Sequence, residues 1–273
     1  MFTQRQNRNL LEATGTTLSL IYHQAVYNLR STHQNAIIGI LLIIAQTLLF
    51  VSIFMLLYLL VGIRGSPIRG DFMLYLMSGI FLFMSHVRTV GAVSSSHSPG
   101  GGLVKHAPLN PAVLIAASAL STLYGQSISA IVILGVYHIA VNPISIYFFP
   151  GALAMFLLAW FGGVCVGLVF LGLRPWIPKI APLLTMAYQR VNMIASGKMF
   201  VANTVPNIML PWFAWNPLFH LIDQARGFLF VNYTPQKTDY HYAIWVFIGL
   251  LMLGLLINFT TRKYESVSWT AAQ

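Results

Sequence analysis

Six long apolar runs constrain this sequence more than any other feature. They cover approximately residues 36–62, 72–93, 112–140, 145–173, 177–205 and 242–260. Crossing about 30 Å of hydrocarbon takes roughly 20 residues of helix, so each run is close to or above the length of a membrane span. Of the 273 residues, 57% are hydrophobic and 7% are charged, which excludes a sizeable soluble catalytic domain. We therefore predict an all-α membrane protein with six transmembrane helices.

The segment before the first run, residues 1–35, is too polar for a cleaved signal peptide. Its apolar residues recur with helical spacing, which predicts an amphipathic helix that lies along the membrane interface. A helix packed on protein with its polar face in water is the alternative. The apolar face consists of Leu18, Ile21, Tyr22, Ala25, Val26 and Leu29.

The distribution of charge predicts the topology. Lys and Arg total 15 and Asp and Glu total 5, which gives a formal net charge of +10. In so apolar a chain this excess indicates lipid contact and orientation, and we do not expect nucleic acid as a partner. More of the basic residues lie in the connections on the side of the N-terminus, so both termini are predicted to be cytoplasmic. We divide the chain into a cytoplasmic segment, 1–35, and a six-span domain, 36–273.

The stretch before the last span is apolar but interrupted by Pro206, Pro211 and Pro217. Because proline breaks helices, we predict an external re-entrant helical hairpin over about 206–233 that enters the bilayer without crossing it. Asn216 followed by Pro217 predicts the start of its second helix. On that helix, Asp223 and Arg226 have the spacing of an ion pair.

Polar residues share one face of the fifth run. Thr185, Gln189, Asn192, Ser196 and Asn203 have helical spacing, and Arg190 lies beside them. A cation at this depth should face protein or water. Two interpretations stay open, a polar wall of a translocation pathway or hydrogen bonds between helices.

Aromatic residues crowd the external stretch. Trp212 and Trp215 belong to this group. An interfacial aromatic belt is one interpretation, and binding of the apolar faces of sugar rings is the other.

Several chemistries have no support in the sequence. Gly197-Lys198 and Gly100-Gly101-Gly102 both lack the remaining residues of a phosphate loop, so the chain alone is not expected to hydrolyse ATP. The eight histidines show no metal-ligand spacing, and Cys165 is the only cysteine. We predict no catalytic residues, no metal and no cofactor in this chain.

The layout and one motif carry a resemblance to a known family. An amphipathic N-terminal helix, six spans and a re-entrant hairpin before the last span are combined with Asn216-Pro217-Leu218-Phe219-His220, followed by Asp223 and Arg226. Together they resemble the membrane subunits of type-two ABC exporters, and among these the capsular polysaccharide export permeases. Permeases for O-antigen and teichoic acid are cousins of that group.

The resemblance implies a homodimer in the bacterial inner membrane that docks on two copies of a cytosolic ATPase, which binds ATP and Mg. The cargo would be a lipid-linked glycan of capsule type. Periplasmic and outer-membrane export proteins are further candidate partners. The stretch after the second span, about 87–108, would be the coupling helix that contacts the ATPase, with Arg88, Ser95, His97 and Lys105 as candidate contacts.

Other functions stay open at this point. An exporter of drugs or small lipids with the same fold would share all these features. A structural membrane protein that transports nothing, or a membrane-embedded transferase, would share only the apolar spans.

Overall fold

The computed structural model describes residues 10–30, 36–62, 67–96 and 110–271. Within these ranges the chain is helical and contains no strand, which confirms the all-α class. A short 3₁₀ turn, Ala202–Thr204, lies between α6 and α7. The helices are α1 (Leu10–Arg30), α2 (Ala36–Leu60), α3 (Phe72–Ser94), α4 (Pro111–Ala140), α5 (Phe149–Leu173), α6 (Ala181–Ala195), α7 (Pro211–Ala214), α8 (Pro217–Leu229) and α9 (Tyr240–Ala271).

Five helices in the described ranges are long and apolar enough to cross a membrane. They are α2, α3, α4, α5 and the part of α9 from Tyr240 to Thr261. Five of the predicted spans therefore correspond to single helices, with boundaries that agree to within a few residues.

The fifth predicted span, 177–205, is wrong as one continuous helix. Helix α6 has 15 residues and is therefore about 22 Å long, shorter than the hydrocarbon layer. It ends at Ala195, and Gly197 follows with a φ of 67°. Glycine adopts this left-handed conformation at little cost and commonly terminates helices. Six continuous spans are not confirmed.

Helix α3 forms the centre of the bundle. It is buried over most of its length and contacts α2, α4, α5, α6 and α8. Helix α5 packs between α3 and α9. A Cβ atom on Gly163 would lie 2.6 Å from the carbonyl oxygen of His86, and one on Gly167 would lie 2.7 Å from Cβ of Val93. These close approaches make the two glycines a helix-packing motif.

Asp71 joins the beginning of α3 to the end of α4. Its Oδ1 atom accepts from the amide of Met73 at 2.8 Å, and its Oδ2 atom accepts from the Tyr137 hydroxyl at 2.7 Å and from Asn142 at 3.2 Å. Burial raises the pKa of this carboxyl, but the hydrogen bonds outweigh burial and hold the pKa below its usual value. The carboxylate is therefore the form that the fold stabilises.

Helix α1 packs on α4 and α2. Asn28 donates to the Ser118 hydroxyl at 3.4 Å, and Ala25 and Leu29 face α4 across a groove. On the same predicted apolar face, Leu18 and Tyr22 are exposed. Contact with protein is what the alternative interpretation expects, and the position of α1 along the bilayer interface stays a prediction.

Candidate functional site

The chain leaves α6 through a non-helical turn that Arg226 of α8 holds in place. Arg226 is 0% exposed. Its Nη1 atom donates to the carbonyls of Gly197 at 3.1 Å and Phe200 at 2.6 Å, and its Nη2 atom donates to the carbonyl of Lys198 at 2.6 Å. The guanidinium also lies 4.2 Å from the centre of the Tyr75 ring. Arg226 thus supplies donors to carbonyls that have left the helical pattern.

The predicted ion pair between Asp223 and Arg226 is wrong. The Asp223 carboxylate instead accepts from the amide of Ala202 at 3.1 Å, the hydroxyl of Tyr233 at 2.6 Å and the hydroxyl of Thr238 at 2.8 Å. The two side chains bond to different partners: Asp223 to a backbone amide and two hydroxyls, and Arg226 to backbone carbonyls. Burial and the Asp223 charge raise the pKa of the Tyr233 hydroxyl, so this group remains a donor.

Lys198 is a second buried cation in the turn, and it was not among the predicted site residues. It is 1% exposed, and its ammonium donates to the carbonyl of Met193. The ammonium lies over the rings of Phe83 and Phe54, at 4.0 and 4.8 Å from their centres. A signal for it existed, because a lysine inside an apolar run costs about 2.5–3.5 kcal/mol on insertion scales and therefore marks a special site.

Asn216 ties the start of α8 to the end of α6. Its Oδ1 atom accepts from the amide of Leu218 at 3.0 Å, which caps α8 as predicted. Its amide nitrogen donates to Oδ1 of Asn192 and to the carbonyl of Ala195, both at 3.0 Å. Pro217 is buried in the first turn of α8, where its missing N–H leaves no bond unmade.

His220 ties α8 to the segment before α9. Its Nδ1 atom accepts from the amide of Asp239 at 3.0 Å, which places the proton on Nε2. Nε2 then donates to the carbonyl of Ala214 at 2.8 Å. The residues of the predicted motif, Asn216, Pro217, His220, Asp223 and Arg226, thus act together to hold the chain around α8.

Most of the predicted pathway residues of α6 face the inside of the subunit. Thr185, Asn192 and Ser196 are buried, and Gln189 donates to the carbonyl of Val87 on α3 at 3.2 Å. The Gln189 bond and the bond from Asn216 to Asn192 are of the interhelical type, the second interpretation of this face, whereas Thr185 bonds within α6 to the carbonyl of Ala181 at 2.9 Å. Their part in a pathway stays a prediction. Asn203, which the sequence placed on the same face, lies beyond the end of α6 and donates to the carbonyl of Thr234 at 2.9 Å.

Arg190, Trp212 and Trp215 lie on the surface of the single subunit. Arg190 is exposed and makes no hydrogen bond or ion pair within the described part of the chain. Trp212 is 71% exposed and Trp215 is 51% exposed, and Trp215 donates to the carbonyl of Trp212 at 2.7 Å. These side chains are available to lipid, to a second subunit or to a ligand.

The predicted coupling residues fall into two groups. Ser95 is exposed at the end of α3, and Arg88 is directed toward α2, where it donates to Gln46 at 2.6 Å. His97 and Lys105 lie outside the described residues.

The environment of α8 is a network of buried polar groups. Its buried polar side chains bond mainly to backbone groups and to one another. In residues 10–30, 36–62, 67–96 and 110–271, no cluster of three or more His, Cys, Asp or Glu could hold a metal ion. The network can hold a non-helical segment inside an apolar bundle.

Comparisons with known proteins identify similar chains. No family model matches the sequence. Two Escherichia coli sequences of polysialic acid transport protein KpsM are each 24% identical to it, over 221 and 217 residues. In both cases the similarity covers 76% of this chain and 81% of the relative. This similarity confirms the resemblance to capsular polysaccharide export permeases that the sequence predicted.

Proposed function

We propose that this chain is the transmembrane subunit of an ATP-driven ABC exporter, which moves a lipid-linked polysaccharide of capsule type across the bacterial inner membrane. The similarity to polysialic acid transport protein KpsM over 76% of the chain carries the proposal. The five membrane-length helices support it, since they supply the bundle that a permease needs.

The energy source is a partner protein in this proposal. The sequence contains no phosphate loop, so ATP and Mg bind to a separate cytosolic ATPase. Two copies of the permease and two of the ATPase form the exporter. The cytoplasmic end of α3, with Ser95 exposed, supports a contact with the ATPase at this end of the bundle.

Contacts around α8 support six crossings and a re-entrant excursion. Asn203 bonds to Thr234, which places the end of the segment after α6 beside the loop that precedes α9. The amide of Phe148, at the start of α5, donates to the carbonyl of Phe228 at 2.8 Å, so α8 ends at the same side. Asn216 instead lies beside the end of α6. The fifth crossing then consists of α6 and the extended segment that follows it. Residues 206–229 enter the membrane from the side where this crossing ends and return to the same side.

The orientation of the chain in the membrane is part of the proposal. The chain is oriented with both termini in the cytoplasm, and α1 lies at the cytoplasmic interface. The basic residues near α1 and those in the last part of α9, Arg262 and Lys263, support this orientation. Arg190 lies on the exposed face of α6, where it is available to an anionic group of the cargo.

Reconstitution tests the function. The chain is placed in lipid vesicles with the ATPase encoded beside it, lipid-linked capsule glycan is supplied at the ATPase side, and glycan on the other side is measured with lectin or a specific glycosidase. We expect ATP-dependent transfer and glycan-stimulated hydrolysis. The matched control is the same complex with the phosphate-loop lysine of the ATPase replaced, which should transfer nothing.

Three outcomes would contradict the proposal. Hydrolysis stimulated by small amphiphiles but not by glycan would indicate an exporter of drugs or small lipids. Complex formation without any stimulated hydrolysis would indicate a structural protein. Hydrolysis of ATP by the purified chain alone would contradict the assignment of the energy source to the partner.

A further inference from the structure

A polar cavity of about 460 Å³ lies among α1, α2, α3 and α4, at the end of the bundle where α1 and α3 end. This volume is within the roughly 300–1,000 Å³ of typical ligand sites. Its lining is rich in amides and hydroxyls and contains one cation, Arg88, but no carboxylate. The cavity is separate from the network around α8.

Two lining groups lack hydrogen-bond partners. Gln126 of α4 is 4% exposed, and its side-chain amide makes no hydrogen bond within the described residues. The guanidinium of Arg88 uses Nη2 to bond Gln46, but its buried Nε atom has no partner. A buried guanidinium N–H without a partner is costly in an apolar bundle, and the amide of Gln126 borders the cavity without a bond, so both groups indicate that something polar completes this site.

An apolar groove continues from the cavity. It has a volume of about 580 Å³ and lies between α1 and α4. Leu29 and Ser121 line both spaces, so the cavity and the groove adjoin. The groove is lined mainly by aliphatic and aromatic side chains, with Arg30 as its charged member. A polar cavity that opens into an apolar groove matches a molecule with an ionic head and a hydrocarbon tail.

We infer that the cavity and the groove together bind an anionic lipid, with its phosphate and head-group hydroxyls in the cavity and one hydrocarbon chain in the groove. Two arginines and no carboxylates line the combined site, which favours an anion. A guanidinium fork matches phosphate geometry, and Gln126 donates to or accepts from a neighbouring hydroxyl. Such a phosphate can belong to a bilayer phospholipid or to a polyprenyl phosphate. Only the second source rests on the proposed function.

The test measures lipid binding to the full-length chain in neutral detergent by native mass spectrometry. Phosphatidylglycerol, zwitterionic phosphatidylcholine and a polyprenyl phosphate are titrated separately. We expect the anionic lipids to bind roughly tenfold more tightly than phosphatidylcholine, because only they leave the guanidinium charge compensated. The anionic lipid that is retained better identifies the source of the phosphate.

Variants locate the binding. Arg88→Gln and Gln126→Leu should each remove most of the preference for anionic lipid. Ala25→Trp, which fills the groove, should weaken binding of all lipids. Arg69→Gln is the matched control, because Arg69 is an exposed cation near the opposite end of α3. Should Arg88→Gln fail to fold, the other two variants still decide the question.

Two results would overturn the inference. One is equal affinity of the unchanged chain for phosphatidylglycerol and phosphatidylcholine, which would mean that water alone completes the cavity. The other is an unaltered anionic preference in Gln126→Leu together with unaltered affinity for every lipid in Ala25→Trp. The measurement uses neither ATP nor glycan, so a failure of export contradicts the proposed function without contradicting this site.

Discussion

Arg226 shows how one side chain can determine the path of a neighbouring segment. Its guanidinium bonds to three carbonyls of the turn after α6 and is completely buried. Gly79 of α3 leaves the space for this arrangement, since a Cβ atom there would lie 2.8 Å from the carbonyl of Lys198 and 2.9 Å from Nη2 of Arg226. The turn, α3 and α8 are therefore mutually dependent.

We expect Arg226→Met to lower the free energy of unfolding by about 3–5 kcal/mol, because the carbonyls of Lys198 and Phe200 lose their donor inside the bundle and that of Gly197 keeps only a backbone amide. Thermal unfolding of the purified chain in detergent measures the effect. Arg190→Met is the matched control. Arg190 is exposed and unpaired within the described residues, so its replacement should change stability by less than about 0.5 kcal/mol. Equal effects of the two substitutions would contradict the role of Arg226.

Asp71 predicts a dependence of stability on pH. Its folded-state pKa lies below the usual value, so its contribution is present above the unfolded pKa of about 3.9 and disappears as pH falls through the lower folded pKa. We expect Asp71→Asn to lose about 1 kcal/mol at pH 7, because the bonds from Tyr137 and Asn142 lose their charged acceptor while the cap itself is kept. The difference in Tm between the two chains should shrink from pH 6 to pH 3. A difference that stays constant over this range would mean that the Asp71 charge contributes nothing.

At the scale of elements, the break between α6 and α8 is the least regular part of the chain. The segment turns at Gly197, passes through the 3₁₀ turn Ala202–Thr204 and returns through α7 to Asn216. Its backbone lacks continuous helical hydrogen bonds. Such backbone is tolerated in an apolar bundle only where other protein groups satisfy it, as Arg226 and Asp223 do here.

We expect Gly197→Ala to destabilise the chain by about 2–4 kcal/mol. The φ of 67° is strained for alanine, and a Cβ atom would overlap the ring of Phe219. Gly249→Ala on α9 is the control, since a Cβ atom there has no neighbour within 4 Å. That control should be neutral or slightly stabilising. Unfolding in detergent distinguishes the two, and a Gly197→Ala chain as stable as the control would show that the turn can reorganise.

At the scale of the molecule, cysteine labelling tests the proposed course of the chain. Cys165 is buried and can be replaced by alanine to remove the background. In this background we expect a cysteine at Gln236 to react with an impermeant maleimide from the periplasm and one at Ser95 to react only from the cytoplasm, because the two positions lie at opposite ends of the bundle.

Two labelling results would change the topology. Cytoplasmic labelling at position 236 would mean that residues 206–229 cross the bilayer and that the number of spans is seven. Periplasmic labelling at position 95 would invert the whole bundle. A cysteine in place of exposed Ser52 within α2 should react from neither side, because lipid should shield it.

Apolar length and spacing were sufficient to predict the all-α class of this protein, five of its membrane-length helices and the cap at Asn216. These features depend on local periodicity and on the thickness of a bilayer, both of which can be read along the chain. The lysine at 198 also carried a readable signal, its charge inside an apolar run.

Only the tertiary structure decided where the polar side chains of α6 and α8 find partners. Asp223 and Arg226 have ion-pair spacing, yet each bonds to groups more than 9 residues away, such as Ala202 and Phe200. Helical spacing indicates which residues are neighbours on one helix. A buried polar group, however, bonds to the donor or acceptor that the other elements bring closest. The cavity among α1, α2, α3 and α4 depends on the same principle, because Arg88 and Gln126 line one space only when α3 packs on α4.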